Sequence, residues 1–222
     1  MTGYTLTQPE VWFSGPLAYQ AAGNATVGWV QAAGAVTTAQ SLVTAASGAS
    51  GAAGSDKQYF PAGFWQRPKQ VAKIIIHGNV SWVSTASTTC TFAVGTSGST
   101  PQGTATAITA TNTLWTSPAY PNQSVAQTNI PWHFDLDVMC EKVGVGTAAV
   151  STALLTTGLG GVTTAVVNPV ASLPMFGPVP GNVITTFDNS INQFIWVSVT
   201  FGTNASASNT CTMLSCYIYG MN

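Results

Sequence analysis

The segment Trp132–Glu141 reads WHFDLDVMCE, and its alternation of apolar and polar residues decides the fold class predicted for this chain. One set of alternate positions is apolar and holds Trp132, Phe134, Leu136, Val138 and Cys140. The other set is mostly polar and holds His133, Asp135, Asp137 and Glu141. Because successive side chains of an extended strand point to opposite faces, this period of two indicates a strand with one buried and one wetter face.

The same pattern recurs outward from that segment in both directions. Lys73–Val83 places four large apolar residues on one face and His77, Asn79 and Ser81 on the other. Further strands are predicted at Cys90–Val94, Thr104–Leu114, Thr147–Thr157, Val162–Val167, Asn182–Phe187, Gln193–Gly202 and Asn209–Tyr219. Turn residues separate them, including Gly158–Gly161 and Pro174–Gly181. Short strands between turns, with little helical periodicity, predict an all-β chain folded as an antiparallel β-sandwich of jelly-roll type.

The first 70 residues differ in composition from the rest. The segment Ala32–Gly54 is almost wholly Ala, Gly, Ser, Thr and Val. Such a stretch has too few regularly placed apolar groups to build a core of its own. The sequence therefore predicts two parts: an N-terminal arm over residues 1–70, which packs on the sandwich or on a neighbour, and a sandwich over residues 71–222.

Aromatic clusters lie on both sides of the Ala/Gly-rich segment. Because the energetically dominant residues of protein interfaces are enriched in Trp, Tyr and Arg, we expect contacts with a partner here. The predicted contact residues are Trp12, Phe13, Tyr59, Phe60, Phe64, Trp65 and Arg67. Two alternatives apply to Tyr59–Trp65 and to Trp115–Tyr120: these stretches plug the ends of the sandwich or a seam between subunits, or they stack on sugar rings.

Charged residues are scarce. The chain has 5 Lys or Arg and 6 Asp or Glu among 222 residues, which is 5% compared with about 25% in an ordinary soluble domain. Surface charge normally keeps monomers apart, so this composition predicts a component of an assembly. Without a basic surface or an apolar run of roughly 18 residues, neither nucleic acid nor a membrane is a predicted partner.

Candidate catalytic and metal-binding patterns are weak. His133, Asp135 and Asp137 share a strand face, which suggests a metal or acid–base site, but the sequence identifies no ligands on neighbouring strands. A wet or interfacial polar face is therefore the favoured interpretation, and no metal is predicted. Gly144–Ala149 fits a loose GxGxxA pattern, yet a Thr-rich, β-like run follows where a helix is required. With no GxSxG, HExxH or SxxK motif, we expect a protein that is not an enzyme and needs no cofactor.

Several segments together resemble, in pattern and layout, the jelly-roll virion proteins of tailed bacteriophages. They are Lys73–Gly78 (KIIIHG), Val94–Thr96 (VGT), Ile130–Val138 (IPWHFDLDV), Val143–Thr147 (VGVGT), Val183–Asp188 and Phe194–Tyr219. The resemblance implies a structural role in the virion, often as a homotrimer, for a protein made in the host cytoplasm. The first expectation is a capsid decoration (cement) protein that contacts the major capsid protein or other virion proteins. The alternative is a tail-tip or fibre module that recognises a host-surface glycan.

Overall fold

The computed structural model describes residues 10–13, 30–32, 40–41, 59–82, 89–98, 112–121, 127–144, 152–162, 177–201 and 210–221. All regular secondary structure in these ranges is β-strand, which confirms the predicted all-β class. The strands are β1 (Glu10–Phe13), β2 (Val30–Ala32), β3 (Gln40–Ser41), β4 (Tyr59–Phe60), β5 (Val71–Trp82), β6 (Thr89–Gly98), β7 (Asn112–Thr116), β8 (Tyr120–Pro121), β9 (Gln127–Lys142), β10 (Thr152–Val162), β11 (Gly177–Phe187), β12 (Gln193–Phe201) and β13 (Thr210–Met221).

These strands form two antiparallel sheets. The larger sheet has the order β1-β13-β5-β9-β10-β11, and β2 also pairs with β13. The smaller sheet has the order β3-β12-β6-β7, with β4 paired to β12 and β8 paired to β6. Each sheet must bury its apolar face, and the two do so against each other. The predicted β-sandwich is confirmed.

The core is centred on β9, which lies between β5 and β10. Its alternate apolar side chains are all 1% exposed or less, namely Trp132, Phe134, Leu136, Val138 and Cys140. From the smaller sheet, the ring of Phe92 lies with its centroid 4.9 Å from that of Trp132. The ring of Trp115 lies 4.7 Å from that of Phe134. Aromatic rings from both sheets therefore fill the centre of the sandwich, as the alternation in β9 predicted.

Strand β10 runs through the glycine run that the sequence assigned to a turn. A Cβ atom added at Gly158 would collide with the carbonyl oxygen of Asp135, and one added at Gly160 would collide with that of His133. Both carbonyls belong to the adjacent strand β9, so these glycines permit a close approach of two backbones. The predicted turn at Gly158–Gly161 is therefore wrong.

Strand β11 begins inside a second segment that was predicted to be a turn, Pro174–Gly181. Its first residues include Pro178 and Pro180, and Pro178 lies opposite Leu159 of β10. In the described part of the chain β11 pairs only with β10, so it is an edge strand. Proline is tolerated on an edge strand because the side that faces solvent has no neighbouring strand that needs its N–H.

Residues 59–70, which the sequence assigned to the arm, are hydrogen-bonded to the sandwich at both of their ends. The buried side chain of Asn189 accepts a hydrogen bond from the Trp65 amide at 3.1 Å and donates one to the Trp65 carbonyl at 2.8 Å. The Gly63 amide donates to the Asn189 carbonyl at 2.7 Å. At the far end, the Lys69 amide donates to the carbonyl of Cys140. These bonds fix the segment to the β11–β12 turn and to β9.

The strands before residue 59 add to the outer edges of both sheets. β1 and β2 pair with β13, at its two ends, and β3 pairs with β12. Short strands of this kind cover edges that would otherwise expose unpaired backbone groups. Their side chains lie outside the described part of the structure, so an arm function for residues 1–58 stays a prediction.

Candidate interaction surface on the larger sheet

The contact residues predicted from the sequence separate into three groups in the structure. Phe60, Phe64 and Trp65 are buried inside the chain itself, at 1%, 6% and 1% exposure. Tyr59 is half-buried and packs on Phe194, with ring centroids 5.3 Å apart, and Arg67 is exposed. The backbone of Trp12 and Phe13 lies in β1, and their side chains are outside the described residues.

The buried group cannot contact a partner without unfolding, because it forms part of the core. Phe60 lies 5.4 Å from Trp65 and 6.2 Å from Phe187, measured between ring centroids. In the second aromatic stretch, Trp115 and Tyr120 are also buried. These rings therefore fit the alternative that such stretches plug the sandwich. A surface that contacts a partner must be formed by other residues.

The outward face of the larger sheet, here called the outer face, carries a compact set of chemically varied side chains. The strand register places them in three neighbouring rows across β13, β5 and β9. The rows are Tyr219–Lys73–Asp137, Tyr217–Ile75–Asp135 and Ser215–His77–His133. The alternation in Lys73–Val83 and Trp132–Glu141 indicates the polar positions of this face. The sequence analysis did not assign Tyr217 and Tyr219 to a surface, although they alternate in the same way within a predicted strand.

Lys73 forms an ion cluster with two carboxylates on the outer face. Its Nζ lies 3.0 Å from Oδ1 of Asp135 and 3.5 Å from Oδ1 of Asp137. The hydrogen bond to Asp135 raises the pKa of Lys73, and this effect outweighs the opposing effect of partial burial. The ammonium group of Lys73 thus lies beside Asp135 and Asp137, where a metal ion would have to bind if these residues formed a metal site. In the residues that the structure describes, no three His, Cys, Asp or Glu side chains form a metal-binding group.

A second ion pair lies near the end of β9. Lys69 Nζ is 3.0 Å from Oε1 of Glu141, and the two side chains are 66% and 35% exposed. Lys69 and Lys73 are therefore both paired with acids of the same chain. Exposed pairs of this kind contribute little to stability.

His77 and His133 lie directly opposite each other on β5 and β9. Their rings stack with centroids 4.5 Å apart and planes inclined by 7°. Partial burial lowers the pKa of His77, and His133 lowers it further, while Asp135 acts in the opposite direction. The geometry therefore favours a neutral imidazole at His77 near neutral pH, with one donor and one acceptor nitrogen.

This lowered pKa predicts a loss of stability in mild acid. Because the unfolded chain binds a proton at His77 at a higher pH than the folded chain does, stability should fall as the pH drops below 6.5, the ordinary value. We expect the urea midpoint to decline between about pH 7 and about pH 5.5, and to decline less in a His77→Gln variant. A His133→Gln variant should retain part of the decline, since burial of His77 remains. An unchanged decline in His77→Gln would contradict this assignment.

The three cysteines whose side chains the structure describes do not form a reactive site. Cys140, Cys211 and Cys216 are buried, and Cys140 and Cys216 are free thiols. Complete burial raises the pKa of the Cys216 thiol to about 12. The thiolate is the reactive form, so burial of this kind leaves Cys216 inert at neutral pH.

The chain matches no known protein-family model, no curated protein and no solved structure. No helix in the described ranges is long and apolar enough to cross a membrane.

Proposed function

We propose that this chain is a structural protein of a virion and that it decorates a phage head by bridging neighbouring capsomers. The observation that carries the proposal is the scarcity of charge on a β-sandwich. With 5% charged residues, the chain lacks the surface that normally keeps a monomer apart from its copies. Contacts between such surfaces carry only a small desolvation penalty.

Exposed apolar side chains on the larger sheet support the same proposal. Leu159 of β10 is 60% exposed and Val183 of β11 is 58% exposed. Burial of apolar area at a subunit contact would contribute roughly 25 cal/mol per Å2 before the costs of association.

The proposed topology is of jelly-roll type. Its support is that the long strands pair in a nested order along the sequence. The last strand, β13, pairs with β5, and the strand before it, β12, pairs with β6. Jelly rolls are common in viral capsid proteins. Residues 1–58 would then serve as the arm, with Trp12, Phe13 and the exposed Arg67 as remaining candidates for contacts.

We expect the purified protein to form a stable homotrimer. A closed ring of three hides apolar surface and leaves no open end for polymerisation. Light scattering coupled to size-exclusion chromatography at micromolar concentration should give three times the mass of the chain. A single species with the mass of one chain would contradict the prediction, and a Leu159→Glu variant should shift the trimer toward monomer if the exposed apolar residues lie in the contact.

A further inference from the structure

One row of apolar side chains crosses the outer face of the larger sheet. This row, here called the apolar row, follows the strand register from β5 through β9 and β10 to β11 and consists of Val71, Met139, Leu155 and Val183. Met221 of β13 holds the register position next to Val71. The first three side chains are partly exposed, and Val183 is 58% exposed. Because neighbouring strands are about 4.8 Å apart, the row is about 19 Å long from β13 to β11.

Met139 is the residue of β9 that departs from the alternation described above. The outward positions on either side of it hold the acids Asp137 and Glu141, whereas Met139 itself is apolar. The departure falls at the one position of β9 where the adjacent strands also place apolar residues on the outer face, Val71 on β5 and Leu155 on β10. A contiguous apolar patch with a polar rim is typical of an interaction site.

Ion pairs lie on both sides of the apolar row. Lys73 and Asp137 form the next row in one direction along the strands, and Lys69 and Glu141 lie next to the row in the other direction. In each pair the lysine lies on β5 or just before it, and the acid lies on β9. The third carboxylate of this face, Asp135, gives it one more negative than positive charge and lies one row further from the apolar row.

The flanking charges are complementary to those of a second copy of the same surface. A two-fold axis parallel to the strands, midway between β5 and β9, places β5 of one copy over β9 of the other. Lys73 then faces Asp137 of the other copy, and Lys69 faces Glu141. At the centre, Val71 faces Met139. Facing sheets keep their strands within about 30° of each other, so rows close to the axis stay opposed.

We propose that the apolar row is the docking site for a second copy of this chain, which binds face to face about this two-fold axis. Such a contact uses the same patch on both copies and therefore joins chains in pairs. The inference goes beyond the proposed trimer, because a two-fold contact links a chain of one trimer to a chain of the next. Leu159, the residue chosen above to test the trimer, lies two rows away from the apolar row.

The size of the surface predicts a weak contact. With about 4.8 Å between strands and about 3.4 Å per residue along them, the apolar row and its flanking rows cover roughly 250 Å2 of sheet. A stable complex buries about 800 Å2 per partner, so we expect pairs to form only at high protein concentration. Copies held side by side on the surface of a particle would make the same contact more readily, because their effective concentration is high.

Sedimentation equilibrium of the full-length protein, from low micromolar to near-millimolar concentration, tests the proposal. We expect the average mass to rise with concentration toward twice its starting value. Met139→Lys, at the centre of the row, should hold the mass at the starting value, because it would bury a charge opposite Val71 of the second copy. Ile191→Lys is the matched control, since Ile191 is a 38% exposed apolar residue between β11 and β12. It should associate as the unaltered protein does.

Charge variants test whether the flanking pairs face each other. A variant with Lys69→Glu and Lys73→Glu has only acids beside the apolar row, and a variant with Asp137→Lys and Glu141→Lys has only bases there. Each variant alone should fail to pair because like charges oppose one another. An equimolar mixture of the two should pair, because each acidic flank then faces a basic one.

Three outcomes would overturn the proposal: a mass that does not rise with concentration, equal effects of Met139→Lys and Ile191→Lys, and no pairing in the mixture of charge variants. A trimer that associates no further would overturn this inference and leave the proposed function standing. Pairs of single chains without any trimer would support this inference and contradict the proposed trimer. Circular dichroism of each variant confirms that the fold is retained before the masses are compared.

Discussion

Replacement of Trp132 by alanine is expected to lower the free energy of unfolding by about 3–5 kcal/mol. The Trp132 side chain is 1% exposed and packs against Phe92 of the smaller sheet and Phe134 of its own strand. Its removal would leave a cavity between the two sheets that neighbouring rings cannot fill without leaving their rotamers. Urea denaturation followed by circular dichroism measures the loss directly.

The matched control for this variant is Asp137→Asn on the same strand. Asp137 faces outward, its side chain is 45% exposed, and its contact with Lys73 is a long 3.5 Å. We expect a change of about 1 kcal/mol or less. Similar losses in Trp132→Ala and Asp137→Asn would mean that β9 does not alternate between a buried and a solvated face, and the assigned register would be wrong.

Removal of residues 1–70 is expected to abolish folding, whereas removal of residues 1–58 should leave a folded sandwich. The longer deletion removes Phe60, Phe64 and Trp65 from the core, and each such side chain is worth about 3–5 kcal/mol. Together these losses match or exceed the total stability of a typical domain, about 5–15 kcal/mol. Of the strands that the structure describes, the shorter deletion removes β1, β2 and β3, which lie at sheet edges.

Circular dichroism and thermal melting of the two truncated proteins check this prediction. The protein that begins at residue 59 should keep its β signal and a cooperative transition, with weaker assembly if residues 1–58 act as an arm. The protein that begins at residue 71 should lack a cooperative transition. A folded protein beginning at residue 71 would show that the hydrogen bonds between Asn189 and Trp65 are dispensable and would restore the boundary predicted from sequence.

The fold class could be predicted from the sequence because alternation is a local signal. In β9, every residue from Trp132 to Glu141 except Met139 takes the face that its polarity indicates. Local signals failed where a long-range contact decides the structure. The glycines at 158 and 160 are typical of a turn, yet they lie in β10 because a side chain there would collide with β9. Pro178 is tolerated because β11 is an edge strand, a fact that depends on the whole sheet.

The location of the candidate contact residues also depends on long-range contacts. A cluster of aromatic residues in an irregular segment suits an interface and a core equally well. Burial of Phe60 and Trp65 depends on Asn189, more than 120 positions further along the chain, which binds both backbone groups of Trp65. No local pattern reports such a contact. The tyrosines of β13 were open to prediction, since Tyr217 and Tyr219 alternate with the buried Cys216 and Ile218.

The central claim, that this chain decorates a phage head, is tested most directly by cryo-electron microscopy of particles purified from the source of the gene. We expect density for trimers of the sandwich on the outer surface of the head, at the junctions between capsomers. Clear density for the sandwich in the tail alone, or particles of which this chain forms no part, would contradict it.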